Sequence, residues 1–338
     1  MRGPVSIVVP AYNAQATVGE CLAALRAAMG PDDELILFDD GSTDETRAIA
    51  HRAGARIIVG EQRAAGPAHG RNVAARAAAR DRLLFVDADV ILHPDAIDLL
   101  AGAMDRSGAS AAFGSYDDQP RSLRATSLYA NLRHHFTHQH GQREATTFWS
   151  GIGMIDKAAF VGAGGFDVAQ FAYPSIEDVE LGMRLIAARQ RIILVPEAQG
   201  THWKDWSLWR VWHTDVVRRA LPWSRLIADG QVATPDLNLS HSERLLAALA
   251  LAVPLFVVLG YFWRGALLLA LVAALLYIWY NRRFFGFLAR RLPAGKLIGA
   301  MAMHWCYHIY ASATFAIVVV VTRLGFRTRS RNVSAPAN

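Results

Sequence analysis

Residues 35–44 read Leu35-Ile36-Leu37-Phe38-Asp39-Asp40-Gly41-Ser42-Thr43-Asp44. Four apolar residues in a row, closed by acids and a Gly-Ser-Thr turn, predict a short strand buried on both faces. Such strands belong to parallel sheets flanked by helices. Working outward, residues 6–10 form a similar run leading into Val9-Pro10-Ala11-Tyr12-Asn13-Ala14. Residues 83–86 form another, leading into Asp87-Ala88-Asp89. Further β-branched runs lie at 56–59 and 192–195. Ala-rich helical stretches are expected at 15–29, 43–53, 70–80 and 94–104. Alternating strand and helix predicts an α/β domain, a mostly parallel sheet with helices on both faces.

Ligands of such sheets bind beyond the carboxyl ends of the strands, so the residues following each strand carry the chemistry. Asp39, Asp40, Asp87 and Asp89 converge there, and clustered carboxylates repel one another unless a cation or donor groups compensate. Hard oxygen ligands with room for water suit Mg²⁺ or Mn²⁺ bridged to a substrate phosphate. Asp44 reads as a turn or capping residue, as do Ser42 and Thr43. The four histidines at 134, 135, 138 and 140 lie beside Tyr129, Leu132 and Phe136. They read as an amphipathic segment near a membrane or acceptor rather than a metal site.

The 338 residues are 53% hydrophobic and 19% charged, which excludes a disordered chain. Cys21 and Cys306 are too few for a disulfide framework or a four-ligand zinc site. The net charge of +6 is unevenly placed. Residues 1–240 hold 24 Lys+Arg against 28 Asp+Glu, and residues 241–338 hold 11 against the single acid Glu243. The basic half is also the greasy half, which points to lipid headgroups rather than nucleic acid. Apolar runs occupy 245–262, 265–280 and 297–321. The third would span about 37 Å as a helix, enough for a hydrocarbon core of about 30 Å.

Arg282, Arg283, Arg290, Arg291 and Lys296 make a basic loop expected on the cytoplasmic side, and the basic tail 326–338 wants the same side. Three simple spans cannot satisfy both, so one run is expected to be re-entrant or interfacial. No signal peptide precedes the first strand, so the soluble domain is expected in the cytosol. Trp206, Trp209 and Trp212, with Arg218 and Arg219 behind them, read as an interfacial amphipathic segment within 203–225. The expected organisation is a catalytic domain over 1–235, a membrane region over 241–325 with two or three helices, and the tail.

Pro-Ala-Tyr-Asn-Ala at 10–14, Asp-Asp-Gly-Ser-Thr-Asp at 39–44 and Asp-Ala-Asp at 87–89 appear in an order and spacing that resemble the family 2 glycosyltransferases. That family has the GT-A nucleotide-sugar-binding fold. Gly66-Pro67-Ala68-His69-Gly70-Arg71-Asn72 is similar to its Arg-Asn segment. Gly164-Gly165-Phe166-Asp167 followed by Glu177-Asp178 is similar to its acceptor loop and catalytic acidic pair. The resemblance spans roughly 4–215.

It implies that Pro10, Ala11 and Tyr12 wall the nucleotide base, that Asp40 contacts the base with Asp39 beside it, and that Arg71 meets diphosphate or ribose. Within Asp87-Ala88-Asp89, Asp89 would ligate the metal and Asp87 would lie nearer the ribose or a metal-bound water. His202, after the last strand, would complete the metal site. The donor would be a UDP or GDP sugar. The expected acceptor is a polyprenyl phosphate or glycolipid, in cell-envelope polysaccharide or glycolipid synthesis at a bacterial inner membrane. Inverting transfer needs a base for the acceptor hydroxyl. The resemblance makes Asp178 that base, with Glu177 beside it at a helix start that favours an ionised carboxylate.

Rival readings are a nucleotidyltransferase, a phospho-acceptor receiver domain and a non-catalytic nucleotide-binding membrane protein. A nucleotidyltransferase would carry a Gly-rich loop with Arg and Lys where Pro10-Ala11-Tyr12-Asn13 stands. A receiver domain would end near 120 residues with a Lys after a later strand. A scaffold that had lost activity would not need Asp40, Asp89 and Asp178 together.

Overall fold

Strands buried on both faces need a helix layer on each side. The computed structural model, described over residues 2–61, 64–171, 173–230 and 241–324, supplies both layers. In chain order the first half holds β1 (Val5–Ala11), α1 (Val18–Ala28), β2 (Glu34–Asp39), α2 (Thr46–Arg52), β3 (Arg56–Val59) and α3 (Pro67–Ala77). There follow β4 (Arg82–Val86), β5 (Val90–Leu92), α4 (Ala96–Ser107), β6 (Ala111–Tyr116) and α5 (Ala125–His140). Then come β7 (Glu144–Ala145), β8 (Ile152–Asp156), α6 (Lys157–Gly162), α7 (Glu177–Ala187) and β9 (Ile192–His202).

The strands form one sheet in the order β3-β2-β1-β4-β8-β6-β9-β5, with β7 also on β9. The first four strands in that order are parallel. Beyond β4 the sheet is mixed, because β8 runs antiparallel to both β4 and β6. The expected parallel character therefore describes one half of the sheet. Two apolar clusters fill its faces, one centred on Val9, Leu22, Leu84 and Leu100, the other on Phe38, Phe85, Phe113 and Phe166.

Helix boundaries moved for local reasons. The chain turns at Ala14, whose carbonyl accepts from Thr17 and Val18, so α1 starts at Val18 rather than 15. Asp44 bonds the Thr46 N–H and holds back the start of α2. Pro67 pre-sets the first turn of α3, which therefore begins three residues earlier than expected, after Gly66 at φ 94°. Gly108, left-handed at φ 67°, ends α4 beyond its expected limit.

After β9 come α8 (Leu208–His213), a π-helical turn (Thr214–Ala220), α9 (Leu221–Ala228), α10 (His241–Leu259), α11 (Gly265–Tyr280), α12 (Arg282–Arg291) and α13 (Ala294–Arg323). Trp206 lies ahead of α8, whose cap is Ser207, so the three tryptophans do not share one helix. Trp209 is 65% exposed and stacks on Trp212 at 4.8 Å. Two helices, α10 and α13, are long and apolar enough to cross a membrane. The pair α11 and α12 would make a third span but is bent by 67°. The basic tail at 326–338 falls outside the described residues.

The C-terminal helices are not a free appendage. Leu128, Tyr129 and Leu132 of α5 pack with Leu246, Tyr277, Phe284, Leu288 and Ala300. Arg133 of α5 makes a two-pronged pair with buried Asp215 of the π-helical turn, at 2.7 and 3.1 Å. Tyr310 of α13 donates to the same carboxylate at 2.7 Å. Burial alone would raise the Asp215 carboxyl, but Arg133 outweighs it and holds the group below the usual range. Asp215→Asn should cost about 3–5 kcal/mol, because it leaves the Arg133 charge buried without a counter-ion. Thermal unfolding of the full chain in detergent measures this.

Candidate active site

The site begins where β4 ends. Asp87, Ala88 and Asp89 form the turn between β4 and β5, closed by the Val90 N–H donating to the Asp87 carbonyl. Strand β5 pairs antiparallel with the end of β9, setting Val90 opposite His202. The Trp203 N–H adds a bond to the Asp89 carbonyl at 2.9 Å. This ladder brings residues 89 and 202 together, and their side chains stand 3.7 Å apart, Asp89 Oδ2 to His202 Nε2.

Both groups keep an unused atom. Asp89 Oδ1 and His202 Nε2 are buried without a hydrogen-bond partner. Burial, with Lys204 nearby, holds the imidazole well below its usual pKa, so it is neutral and can offer a lone pair. Lys204 Nζ lies 3.4 Å from Asp89 Oδ2. One free carboxylate oxygen and one neutral imidazole fit a divalent cation whose other positions are filled by phosphate and water. Among the described residues no three His, Cys, Asp or Glu side chains converge as a closed metal cage.

Arg71 joins the β4–β5 turn to the acidic start of α7. It projects from α3 and is only 3% exposed. Its Nη2 bonds Asp87 Oδ1 at 2.6 Å, and its Nη1 meets Glu177 Oε1 at 3.3 Å. Burial opposes its charge, yet Asp87, Glu177 and Asp178 together raise its pKa further. Asn72 clamps the Gly-Gly-Phe loop. Its amide donates to the Phe166 carbonyl at 2.8 Å and accepts from the Phe166 N–H at 2.9 Å. Gly165, at φ 70°, is needed there because a Cβ would lie 2.6 Å from Asn72 Oδ1.

Glu177 and Asp178 open α7. Glu177 is tied down by Arg71 and by the Ser175 N–H at 2.7 Å. Asp178 Oδ2 accepts from the Ser150 N–H and hydroxyl at 3.0 and 3.2 Å, while Oδ1 accepts from Val179 N–H at 2.8 Å. Burial raises the pKa of both acids; Asp178 adds to the rise at Glu177, and Asp87 adds to it at Asp178. Arg71 opposes the rise at each. Gly182, one turn after Asp178, lets α7 approach the Thr147-Phe148 backbone ahead of β8. A Cβ there would lie 2.2 Å from the Phe148 nitrogen.

The remaining candidates take other places. Asp40 Oδ1 and Oδ2 accept from the Ala65 and Gly66 N–H groups at 2.9 and 2.8 Å, pinning the entry to α3. Asp39 is fully buried, pairs with Arg47 at 2.5 Å, and accepts from Ser42 N–H at 3.0 Å. Pro10 and Ala11 end β1, where the Ala11 carbonyl accepts from Asp40 N–H. Tyr12 stands 43% exposed beside them.

Sequence reasoning missed Ser150, which holds Asp178, and the aromatic packing behind Asp89 and His202. Tyr116 stacks on His202 at 4.2 Å and 8°, and Trp149 meets Tyr116 edge-on at 4.8 Å. His134, His135 and His138 pack inside this part of the protein. His135 and His138 bond the Tyr116 and Gly114 carbonyls. His134 is held neutral by burial and by His138 beside it. The only signal for these contacts was the Trp149-Ser150-Gly151 turn ahead of an apolar run.

Residues 6–161 match the family model described as "Glycosyl transferase family 2". A glucosyl-3-phosphoglycerate synthase of Mycolicibacterium smegmatis is 39% identical over 100 residues, 27% of this chain and 32% of that protein. An Escherichia coli UDP-Glc:alpha-D-GlcNAc-diphosphoundecaprenol beta-1,3-glucosyltransferase is 29% identical over 115 residues, 33% of this chain and 46% of that protein. The chain thus matches under half the length of either relative. In structure, a mannosyltransferase of Pyrobaculum calidifontis, solved with GDP-Man and Mn²⁺, aligns with a TM-score of 0.58. It is 19% identical over 94% of this chain and 88% of that one, a likeness of fold.

Arg71→Met should leave Asp87 and Glu177 without their shared counter-ion. The expected loss is about 3–5 kcal/mol of stability, the usual effect of removing one member of a buried ion pair. Denaturation of the full chain, followed by tryptophan fluorescence, measures it.

Proposed function

Because the α/β domain of this chain belongs to glycosyl transferase family 2, we propose that the protein is a membrane-bound inverting glycosyltransferase. It moves a sugar from a nucleoside diphosphate sugar to a hydroxyl or phosphate of a lipid-linked acceptor. The observation that carries this reading is the junction at Arg71, where Asp87 at the sheet edge meets the acidic start of α7. A donor lying along Pro10, Ala11, Tyr12, Asp39, Asp40 and Asp87-Ala88-Asp89 would present its anomeric carbon toward Asp178.

Asp178 takes the acceptor proton. The Ser150 and Val179 donors fix the direction of its carboxylate, and its raised pKa makes it a better base than an ordinary aspartate. Glu177 stays bound to Arg71 and keeps that guanidinium in place beside Asp87. Asp89 and His202 would hold Mg²⁺ or Mn²⁺, which screens the charge that develops on the departing diphosphate. The Mn²⁺ of the archaeal mannosyltransferase structure supports a divalent ion, and its GDP-Man supports a nucleotide-sugar donor of the UDP or GDP type.

The E. coli relative, named for a diphosphoundecaprenol acceptor, supports a polyprenyl-linked acceptor. Membrane attachment through α10, α13 and the bent pair α11–α12 would keep the site close to such a lipid. The basic helix α12 is tied to the catalytic domain by Arg291 on Asp118, and Lys296 donates to the Leu123 carbonyl. Excess Lys and Arg mark cytoplasmic segments, so this bonding argues for a multi-pass protein with its catalytic domain on the cytoplasmic side.

Asp178→Asn should lower transfer by about 10²–10⁴-fold, the loss typical of a general base. Donor affinity should change little, because the donor rests on other elements. Nucleoside diphosphate release and donor calorimetry on the same preparation separate the two, and NMR of the wild-type product should show an inverted anomeric centre. As pH falls through the raised pKa the base is protonated, so the acid limb of kcat/KM should lie above the ordinary aspartate value of about 3.9. A retained configuration, or a variant within a few-fold of wild type, overturns the assignment.

Gly182→Ala forces α7 away from the Phe148 backbone. It should lower kcat about 100-fold, the cost of a displacement near 1 Å, with donor affinity held. Unchanged kcat would mean that the placement of α7 does not limit transfer.

A further inference from the structure

Helix α12 has two unlike faces. Phe284, Phe285, Phe287 and Leu288 are buried, with Phe284 and Phe287 packed on Phe136 of α5 at 5.0 and 5.5 Å. Arg282, Arg283 and Arg290 are exposed and surround a cavity of about 300 Å³ completed by His140, Gly286 and the rings of Phe136 and Phe287. Among the described residues no acid lines this cavity. Arg291, on the same helix, is neutralised by Asp118. No carboxylate pairs with Arg282, Arg283 or Arg290 among the described residues.

Arg282 also borders a second, apolar groove along α11, formed by Val272, Leu275, Leu276, Ile278 and Trp279. Its guanidinium lies 4.5 Å over the Trp279 ring and donates to the Trp279 carbonyl at 3.0 Å. A hydrocarbon groove therefore ends in an arginine cavity, and one side chain belongs to both.

We propose that this composite is a binding site for an anionic membrane lipid, its phosphate among Arg282, Arg283 and Arg290 and its chain along α11. The inference rests on the membrane reading above. An arginine fork matches phosphate oxygens in pairs, and three unpaired arginines favour a phosphate of net negative charge over a zwitterionic headgroup. Trp279 at the meeting of groove and cavity suits the headgroup boundary, where its amphipathic ring is favoured. The α11–α12 bend turns the chain out of the apolar layer, so the arginines come to lie beside the catalytic domain. None of the cavity residues belongs to the donor, metal or base sites, so the lipid held here is separate from the acceptor at Asp178.

The test uses the full chain in an uncharged detergent, titrated with dioleoylphosphatidylglycerol, dioleoylphosphatidylcholine or inorganic phosphate while thermal unfolding is followed. Phosphatidylglycerol should bind more tightly than phosphatidylcholine by about fivefold for each arginine engaged, and inorganic phosphate should not displace it. Arg283→Gln with Arg290→Gln should bring the two lipids to within about threefold, and Arg283→Lys with Arg290→Lys should restore most of the preference.

Equal binding of the two lipids by the wild type overturns the site whatever the variants do. Displacement by inorganic phosphate at matching concentration assigns the arginines to a free phosphate and overturns the lipid. Should the full chain instead purify as a monodisperse protein without detergent, the membrane reading falls first, an outcome distinct from either of these.

Discussion

The buried guanidinium of Arg71 is the contact on which the site depends. It brings together an aspartate from the β4–β5 turn and a glutamate from the first turn of α7, ninety residues apart in the chain. Without a shared cation, carboxylates gathered at one sheet edge would repel one another and take up protons. With it, Asp87 stays beside Asp89 and Glu177 is tied down, while Asp178, its neighbour in the acidic pair, makes no direct bond to the guanidinium. The next residue works on the same side: Asn72 grips the backbone at Phe166 and so fixes the loop that leads to α7. Two consecutive side chains of α3 thus hold both the β4–β5 turn and the loop leading to α7.

Behind the cleft the support is aromatic. Tyr116 lies flat on His202, and Trp149 stands edge-on to Tyr116 and continues into Ser150, whose N–H and hydroxyl hold Asp178. Ring packing of this kind fixes orientation with little freedom left to lose. His202 and Asp178, the proposed cation ligand and base, are thereby braced by one wall. The histidines of α5 complete that wall: His138 bonds a strand carbonyl, and His134 is kept neutral by its surroundings. Their clustering goes with packing against the sheet, where His135 and His138 bond the Tyr116 and Gly114 carbonyls of β6.

The catalytic and apolar regions share more than a linker. Arg133 of α5, Asp215 of the π-helical turn and Tyr310 of α13 meet at one carboxylate. The same turn accepts a hydrogen bond from the Ser175 hydroxyl through the Arg218 carbonyl, just ahead of the acidic pair. Leu226 and Trp223 of α9 then cover Phe171 and Ile176. A continuous path of packed groups runs from α13 to the start of α7. A π-helical turn is an uncommon element that recurs at functional sites, and here it contacts both regions.

The alternation of apolar strands and Ala-rich helices was legible in the sequence because it depends on local periodicity. The acids at strand ends were legible because strand ends in α/β sheets share an edge. Asp87-Ala88-Asp89, Glu177-Asp178 and the charge split at residue 240 could all be read from the chain alone. The mixed half of the sheet was not legible, since the direction of β8 depends on pairing with β4 and β6 across long separations. Nor could the text show that Asp40 also anchors the entry to α3, because the Ala65 and Gly66 N–H groups reach it only after α3 packs against Phe38. Ser150, Tyr116 and Asp215 are ordinary residues in ordinary surroundings until folding places them. Local composition and spacing determined which elements form and which chemistry they carry. Tertiary packing alone decided which charges meet, since a carboxylate's partner is set by distance in space rather than along the chain.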